Sequence, residues 1–216
     1  MSKPYTAEGL CQLVYQDRTW RIKELADMRT LVERADNLGR TVLLRALVGL
    51  CYAHWEGYVK RVAKLYLEHI SLRKHRYEAL DRQFLRNHFL PRLDALSYSK
   101  VGFEEKCQLI DKILDGFGDE FRRVNDDLIY TENLKSNVIL EICKICGLDS
   151  SYFSEQAEFI DIFLLKRRNS IAHGEDTLVG IEDMPRLIDD TMTLMRVFGD
   201  SVENAAVLKT YLKNNY

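Results

Sequence analysis

The sequence predicts an all-α protein. Helix-breaking residues are scarce, with 3 prolines and 11 glycines in 216 residues, and such scarcity favours helices over a turn-rich β fold. Apolar residues recur at three- and four-residue spacing, which is the period of amphipathic helices. No segment shows the strict alternation of a strand. Because 46% of the residues are hydrophobic and 30% are charged, we expect a packed core rather than disorder.

The first two helices carry the clearest pattern. Residues 10–32 predict one amphipathic helix, which breaks near the Asn-Leu-Gly sequence at 37–39. A second, longer helix is predicted from about residue 40 to about residue 72. Apolar residues cover much of its circumference, so we expect it to be the central helix of the fold.

The middle of the chain is less regular. Residues 73–96 are basic and aromatic, and Pro91 is expected to bend or end a helix there. A helix over 103–114 precedes a break at the Gly-Phe-Gly sequence of 116–118. Residues 117–131 are polar and predict a loop with a short helix. Residues 73–132 are therefore a candidate insertion in a single domain that spans 1–216 and has its core at about 40–200.

Two further helices are expected in the second half of the chain. Residues 133–146 predict a helix that ends at Gly147. The last helix is predicted from residue 184 to about residue 213, with an interruption near Gly199. Between them, Ser154 is a suitable N-cap for a helix that runs to about His173.

One short segment combines side chains suited to phosphate chemistry. Residues 164–175 include Arg168, Asn169 and His173, and Gly174 follows as a helix stop. Arginine binds phosphate oxygens through a planar fork of donors, and histidine moves protons near neutral pH. In a helix Asn169 and His173 share a face, whereas Arg168 lies roughly 140° around from His173. From spacing alone, a surface arginine and a helix-terminal histidine favoured by the helix dipole are more common than a site.

Residues 168–173, Arg-Asn-Ser-Ile-Ala-His, closely resemble the R-N-x-x-x-H motif of the HEPN superfamily (higher eukaryotes and prokaryotes nucleotide-binding). The flanking residues 165–175 look most like small bacterial HEPN proteins of the RiboL-PSP-like kind, which are associated with toxin and defence loci. Residues 53–60 look like the early core helix of that branch. The resemblance covers about residues 43–198 and implies a HEPN-type helical bundle with additional helices.

The resemblance implies a metal-independent endoribonuclease that uses no cofactor. In such enzymes the RNA 2′-hydroxyl attacks the adjacent phosphorus and leaves a 2′,3′-cyclic phosphate and a 5′-hydroxyl. The reaction needs proton transfer and stabilisation of charge on the phosphorane. By resemblance, His173 would handle protons, Arg168 would hold the phosphate, and Asn169 would orient His173 or contact the phosphate.

The resemblance also bears on partners. In this superfamily the motifs of two subunits commonly face each other across a homodimer, so that one composite cleft receives two histidines. A toxin's antitoxin or sensor is normally a separate chain. One subgroup has a tyrosine two residues after the histidine, which a nucleotidyltransferase modifies; Glu175 stands there in this chain, so that neutralisation is not available. The alternative is a non-catalytic module that binds nucleotide or RNA, or a subunit of a defence complex.

Glu56 is a further candidate because it lies among apolar residues of the predicted central helix. Its carboxylate can pair with Arg168 or orient His173. It can equally be an exposed glutamate bonded to Lys60, four residues on, and the sequence leaves both interpretations open. His54 is interpreted as a core or surface histidine rather than a catalytic one.

The segment 73–92 contains both cations and aromatic residues, a mixture that can bind along an RNA backbone. The favoured interpretation is a helix with one packed face and one solvated basic face. Even so, we expect RNA contacts outside the motif first at Arg73, Lys74 and Arg76. Lys166 and Arg167 are the next candidates.

Charge and cysteine content indicate which ligands and which cellular compartment to expect. A formal net charge of -2 argues against a protein that coats nucleic acid by bulk charge, although it allows a local basic groove. Cys143 and Cys146 form a lone C-x-x-C, which we interpret as cysteines packed on an apolar helix because further metal ligands and a βαβ context are missing. No cysteine framework and no signal-like or membrane-spanning segment is evident. We therefore expect a cytoplasmic protein that binds no metal and no membrane.

Overall fold

The fold is all-α, as the sequence predicts. Eight α-helices and no strand occur in the described part of the chain. The computed structural model describes residues 3–98, 102–122 and 128–213. Part of the predicted polar loop, residues 123–127, therefore lies outside the described residues.

Three long helices form the body of the protein. They are α1 (Ala7–Arg34), α2 (Asn37–Ser71) and α8 (Asp183–Leu208), and each of the three packs against the other two. α2 has 35 residues, which makes it about 50 Å long. Its buried side chains include Trp55 and Tyr66, so the prediction of a central second helix is confirmed.

The first break in the chain lies slightly before its predicted position. α1 ends at Arg34, and the Asp36 carboxylate accepts a hydrogen bond of 2.7 Å from the Gly39 backbone N–H. Asp36 is thus the N-cap of α2, and the predicted break at 37–39 is wrong by about two residues. Gly39 belongs to the first turn of α2, where a capped N–H favours helix over a break.

The shorter helices are α3 (Arg82–Tyr98), α4 (Phe103–Asp115) and α5 (Ser136–Cys146). Pro91 lies inside α3, which continues to Tyr98, so Pro91 does not end the helix. α5 ends where predicted, because Gly147 adopts a left-handed φ of 67°.

The segment before the motif differs from the prediction. Ser154 lies inside the short helix α6 (Ser151–Glu155) and is not an N-cap. Asp149 instead accepts the Ser151 backbone N–H at 3.2 Å. A π-helix over Phe159–Lys166 then leads without a cap into α7 (Arg167–Ala172). π-helical turns inside α-helices are rare and often occur near functional sites.

The predicted interruption of the last helix near Gly199 is absent, since α8 is continuous from Asp183 to Leu208. A Cβ at position 199 would collide with the Tyr58 hydroxyl group. Gly199 therefore allows α2 and α8 to approach closely and does not break the helix. α8 ends instead at Leu208, a few residues before the predicted end, and its C-cap residue Lys209 has a φ of 56°.

Candidate functional site

A groove of about 470 Å³ lies where α7 crosses α2. Gly49, Ala53 and Gly57 line it from α2 at intervals of four residues, so they share one face of the helix. Because two of the three are glycines and the third is alanine, open space remains beside Ile171 and Arg168 of α7.

Arg168 reaches into this groove and stacks on an aromatic ring. Its guanidinium carbon lies 4.1 Å from the centroid of the Tyr52 ring. The side chain is 27% exposed, so part of it remains accessible to solvent while the Tyr52 ring covers one face of the guanidinium. A cation held over an aromatic face is stabilised by the ring quadrupole, which fixes the position of Arg168.

The polar contacts of Arg168 are long. Nη2 lies 3.9 Å from Glu56 Oε2 and 3.5 Å from Asn133 Oδ1. Nε is buried without a hydrogen-bond partner in the described part of the chain. A guanidinium carries five N–H donors. In Arg168 the donor on Nε is buried and the Tyr52 hydroxyl also interacts with the group, which leaves donors on Nη1 and Nη2 for a ligand. The group can therefore accept an anionic ligand.

Glu56 and Tyr52 are one turn apart on α2 and act together on Arg168. The Tyr52 hydroxyl accepts the Leu134 backbone N–H at 2.7 Å. Burial, followed by a hydrogen bond to the Glu56 carboxylate, raises the pKa of Tyr52 to about 12. The neutral phenol thus links the backbone before α5 to the carboxylate that pairs with Arg168. No ion pair joins Glu56 to Lys60 among the described residues, so the geometry matches the Arg168 pairing.

His173 occupies a different position. It is the C-cap residue of α7, its backbone N–H donates to the Asn169 carbonyl at 2.9 Å, and its ring is exposed. The neighbouring Ala172 lines the groove, whereas His173 and Asn169 do not. Within one chain, Arg168 and Glu56 come together and His173 faces solvent, in keeping with the wide angle between Arg168 and His173 on the helix.

The backbone after His173 is fixed by α2. Gly174 has a φ of 78° and turns the chain out of α7. Arg45 then donates hydrogen bonds of 2.9 Å to the carbonyl groups of both Glu175 and Thr177. These contacts hold the end of the motif at a defined place on the surface.

The candidate RNA-binding cations of the motif segment have different surroundings. Lys166 is exposed. Arg167 donates to Asp183 at 2.8 Å and lies 3.9 Å from the centroid of the Phe163 ring. Arg167 therefore ties α7 to the start of α8, and any contribution to RNA contact remains a prediction.

The other predicted cations lie far from the groove. Arg73, Lys74 and Arg76 are exposed and follow the C-terminus of α2. Arg73 comes 17 residues after Glu56, which corresponds to about 25 Å along the helix axis. The structure thus separates these three cations from the Arg168 groove, and their part in RNA contact also remains a prediction.

The sequence interpretation missed Tyr52, Asn133 and Arg45. Tyr52 reads as one more apolar residue of the central helix, and only its i, i+4 relation to Glu56 pointed to the site. The repeat of small residues at 49, 53 and 57 was a second usable signal. Asn133 and Arg45 carry no local signal, because their contacts depend on how distant segments pack.

The remaining sequence features concern the paired cysteines, metal ligands and membrane-spanning segments. Cys143 and Cys146 are free and buried on α5, and burial raises the pKa of both thiols. Among residues 3–98, 102–122 and 128–213, no group of three or more His, Cys, Asp and Glu side chains is placed to hold a metal ion. None of the described helices has the length and apolar character needed to cross a membrane.

The sequence matches a known protein family over most of its length. A protein-family model described as RiboL-PSP-HEPN matches residues 16–204. The chain belongs to the RiboL-PSP-HEPN family. No curated protein and no solved structure matches it significantly. The matched range contains the groove, Arg168 and His173, and membership of a HEPN family indicates a nuclease or another RNA-related function.

Proposed function

We propose that this protein is a metal-independent endoribonuclease whose site is formed by Arg168, Asn169 and His173, with Glu56 in support. The observation that carries the proposal is the state of Arg168. This arginine of the family motif stacks on Tyr52 at the edge of a groove, with donors on Nη1 and Nη2 left for a ligand. An arginine in that state is suited to hold a phosphodiester bidentately.

In the proposed reaction each bond that forms is matched by one that breaks, and each residue has a stated role. The 2′-hydroxyl loses its proton to a base as its oxygen bonds to phosphorus, and the bond from phosphorus to O5′ breaks as O5′ gains a proton. Arg168 stabilises the charge that develops on the phosphorane oxygens. His173 transfers protons, and Asn169 orients His173 or contacts the phosphate. Glu56 keeps the guanidinium directed into the groove.

A homodimer is the arrangement that completes this site. One chain presents a single motif histidine, which is exposed at the end of α7, whereas cleavage needs both a base and an acid. Two copies with their α7 ends facing each other would supply two histidines and two arginines to one cleft. The exposure of His173 and the open side of the groove are compatible with such an interface.

We further propose that the nuclease acts in the cytoplasm as a toxin or anti-phage effector, controlled by a separate antitoxin or sensor chain. Its five cysteines are all free, which suits a reducing compartment. Glu175 occupies the position of the modified tyrosine in one HEPN subgroup, so control by a bound partner is preferred to control by modification.

The test is an RNA cleavage assay of the purified protein in EDTA. Cleavage should persist, yield 2′,3′-cyclic phosphate ends, and disappear in both Arg168→Ala and His173→Ala. The matched control is Arg196→Ala, which removes an exposed arginine from α8. Activity that survives in both motif variants would refute the site, and strict dependence on added metal would refute the mechanism.

A non-catalytic RNA-binding module is the second candidate. It is favoured by the position of His173 outside the groove that Arg168 lines. This alternative predicts RNA binding without cleavage, with lower affinity in Arg168→Ala and unchanged affinity in His173→Ala. Host toxicity that is relieved by His173→Ala, at equal levels of soluble protein, would decide for the nuclease.

A further inference from the structure

A second cavity lies at the other end of the bundle, far from the Arg168 groove. It has a volume of about 480 Å³ and forms where the start of α1, the end of α2 and the end of α8 meet. Arg73, from the predicted basic segment, lines this cavity, whereas Lys74 and Arg76 do not. Clefts of this size accommodate small organic ligands.

The cavity is basic in a protein whose formal net charge is -2. Arg73 and Lys209 line it together with the imidazoles of His69 and His75, and Glu8 is the carboxylate among its lining residues. Neither Arg73 nor Lys209 forms a salt bridge or a side-chain hydrogen bond in the part of the chain that the structure describes. Two cations beside a concave surface, without bonded counter-ions, favour an anionic ligand.

A backbone carbonyl holds the imidazole of His69, and a backbone hydrogen bond holds the main chain at His75. His69 is 1% exposed, and its Nδ1 lies 2.8 Å from the Pro4 carbonyl oxygen. Because a carbonyl oxygen only accepts, Nδ1 carries a proton, and Nε2, the ring nitrogen that remains for a ligand, donates only when the ring is protonated. The carbonyl group of His75 accepts the Phe121 backbone N–H at 2.9 Å. The His69 ring and the backbone at His75 are thus positioned before any ligand binds, which lowers the entropic cost of binding.

The third wall comes from the segment after α8. Tyr211 is buried, its ring centroid lies 6.3 Å from that of His69 and 6.1 Å from that of His75, and its carbonyl accepts the Asp81 N–H at 2.9 Å. A second lobe of about 440 Å³ shares His75 and adds Lys213 and Glu78. The two lobes provide room for a group larger than a bare inorganic anion.

We propose that this cavity binds the phosphate group of a small organic phosphate, with Arg73 and Lys209 as the charged donors and the protonated imidazoles of His69 and His75 as further donors. Arginine gives a bidentate fork and lysine a point charge, the usual pair for phosphate recognition. The apolar surfaces of Tyr211 and of the second lobe contact the organic part of the ligand. The site is separate from the proposed nuclease site and does not depend on cleavage.

Protonation of the histidines should strengthen binding. Burial lowers the pKa of both His69 and His75, and the charge of Arg73 lowers them further. The other charged groups around the rings are Glu8, which acts on His69 in the opposite direction, and Lys209, which lowers the pKa of His75. A bound anion would raise both pKa values, so phosphate binding is expected to be accompanied by proton uptake.

Calorimetric titration of the full chain tests the proposal with orthophosphate, ribose 5-phosphate and adenosine 5′-monophosphate. At least one organic phosphate should bind saturably with one site per chain. Arg73→Gln and Lys209→Asn should each weaken binding by about tenfold or more, the effect of losing a charge-assisted hydrogen bond. Asparagine is chosen because it tolerates the positive φ of position 209.

Two controls make the result specific. Arg196→Gln removes an exposed arginine elsewhere on α8, and Arg168→Ala alters the other groove; both should leave the affinity unchanged. Failure of both organic phosphates to saturate, or equal affinity in the wild type and the two cavity variants, would overturn the proposal. Loss of binding in Arg168→Ala alone would also overturn it, because the ligand would then occupy the nuclease groove.

The phosphate can come from a free metabolite or from an RNA 5′ end. A short oligoribonucleotide with a 5′-phosphate is compared with the same oligonucleotide ending in a 5′-hydroxyl group. Tighter binding of the phosphorylated form that is lost in Arg73→Gln assigns the cavity to RNA ends. Equal binding of the two oligonucleotides, beside saturable binding of the monomeric phosphates, assigns it to a free ligand.

Discussion

The guanidinium of Arg168 lies 4.1 Å above the centre of the Tyr52 ring, while the Tyr52 hydroxyl accepts a hydrogen bond from the Leu134 backbone N–H. A single side chain of the central helix therefore supports the motif arginine and also satisfies a buried backbone group. The ring supports the guanidinium, whereas the hydroxyl contacts the Leu134 backbone, Glu56 and Arg168, and the two parts can be tested separately.

Tyr52→Phe keeps the ring and removes the hydroxyl, whereas Tyr52→Leu removes both. Tyr52→Phe leaves the buried Leu134 N–H without an acceptor, so the free energy of unfolding should fall by about 1–3 kcal/mol. Because the hydroxyl also contacts Glu56 and Arg168, RNA cleavage should fall as well, but less than in Tyr52→Leu. Tyr52→Leu should reduce cleavage by about two- to tenfold as well, because the cation–π contact is lost. Denaturant unfolding and cleavage assays measure the two effects. Equal loss of activity in both variants would mean that the ring does not position Arg168.

The stability of the protein should fall at alkaline pH, in part through Tyr52. Its pKa is raised to about 12 in the folded chain, above the ordinary value of about 10 that applies when the chain is unfolded. A group of this kind contributes stability that is fully present below about pH 10 and is lost as the pH rises toward about 12.

Burial also raises the pKa of Tyr58 and Tyr66. Because the wild type and Tyr52→Phe both keep those two residues, the difference between the two proteins isolates the contribution of Tyr52. The stability advantage of the wild type should shrink between about pH 10 and about pH 12. An advantage that stays constant over that range would show that Tyr52 is not buried in its neutral form.

Two glycines of the long helices should respond to alanine in opposite ways. A Cβ at Gly199 would collide with the Tyr58 hydroxyl and lie 3.2 Å from Arg18 Nη1, whereas a Cβ at Gly49 meets nothing within 4 Å. Gly199→Ala should therefore destabilise the protein by about 1–3 kcal/mol through overpacking. Gly49→Ala should stabilise it by about 0.5–1 kcal/mol, since alanine is the better helix former. Thermal unfolding measures both, and similar shifts in the two variants would contradict the packing described at Gly199.

The sequence predicted the helices whose signals are local and missed the details that depend on packing. The apolar circumference of residues 40–72 reflects burial on all sides, so it identified α2 as the central helix. Gly199 was misread because a helix can keep a glycine when a neighbouring helix needs the space. The prediction for Ser154 was wrong because α6 already begins at Ser151, whose backbone N–H donates to the Asp149 carboxylate.

The same distinction applies to the candidate site. The motif segment identified Arg168 and His173 as candidates. The helical period predicts a wide angle between them, and in the structure Arg168 lines the groove whereas His173 does not. Sequence reasoning left Glu56 undecided between Arg168 and Lys60, because an i, i+4 partner is visible locally and a partner 112 residues away is not. Whether residues 73–132 are an insertion in a single domain remains a prediction, as do the roles of the cations.

Subunit mixing tests whether two chains build one cleft. Wild-type protein is combined with an equal amount of His173→Ala under conditions that exchange subunits. If cleavage needs both histidines of a dimer, only dimers with two wild-type chains are active, and about a quarter of the activity per dimer remains; independent monomers would keep about half. Mixing with Arg196→Ala should leave the activity unchanged and serves as the control. A remaining activity near one half, with subunit exchange verified by mass, would rule out the paired site and place base and acid within one chain.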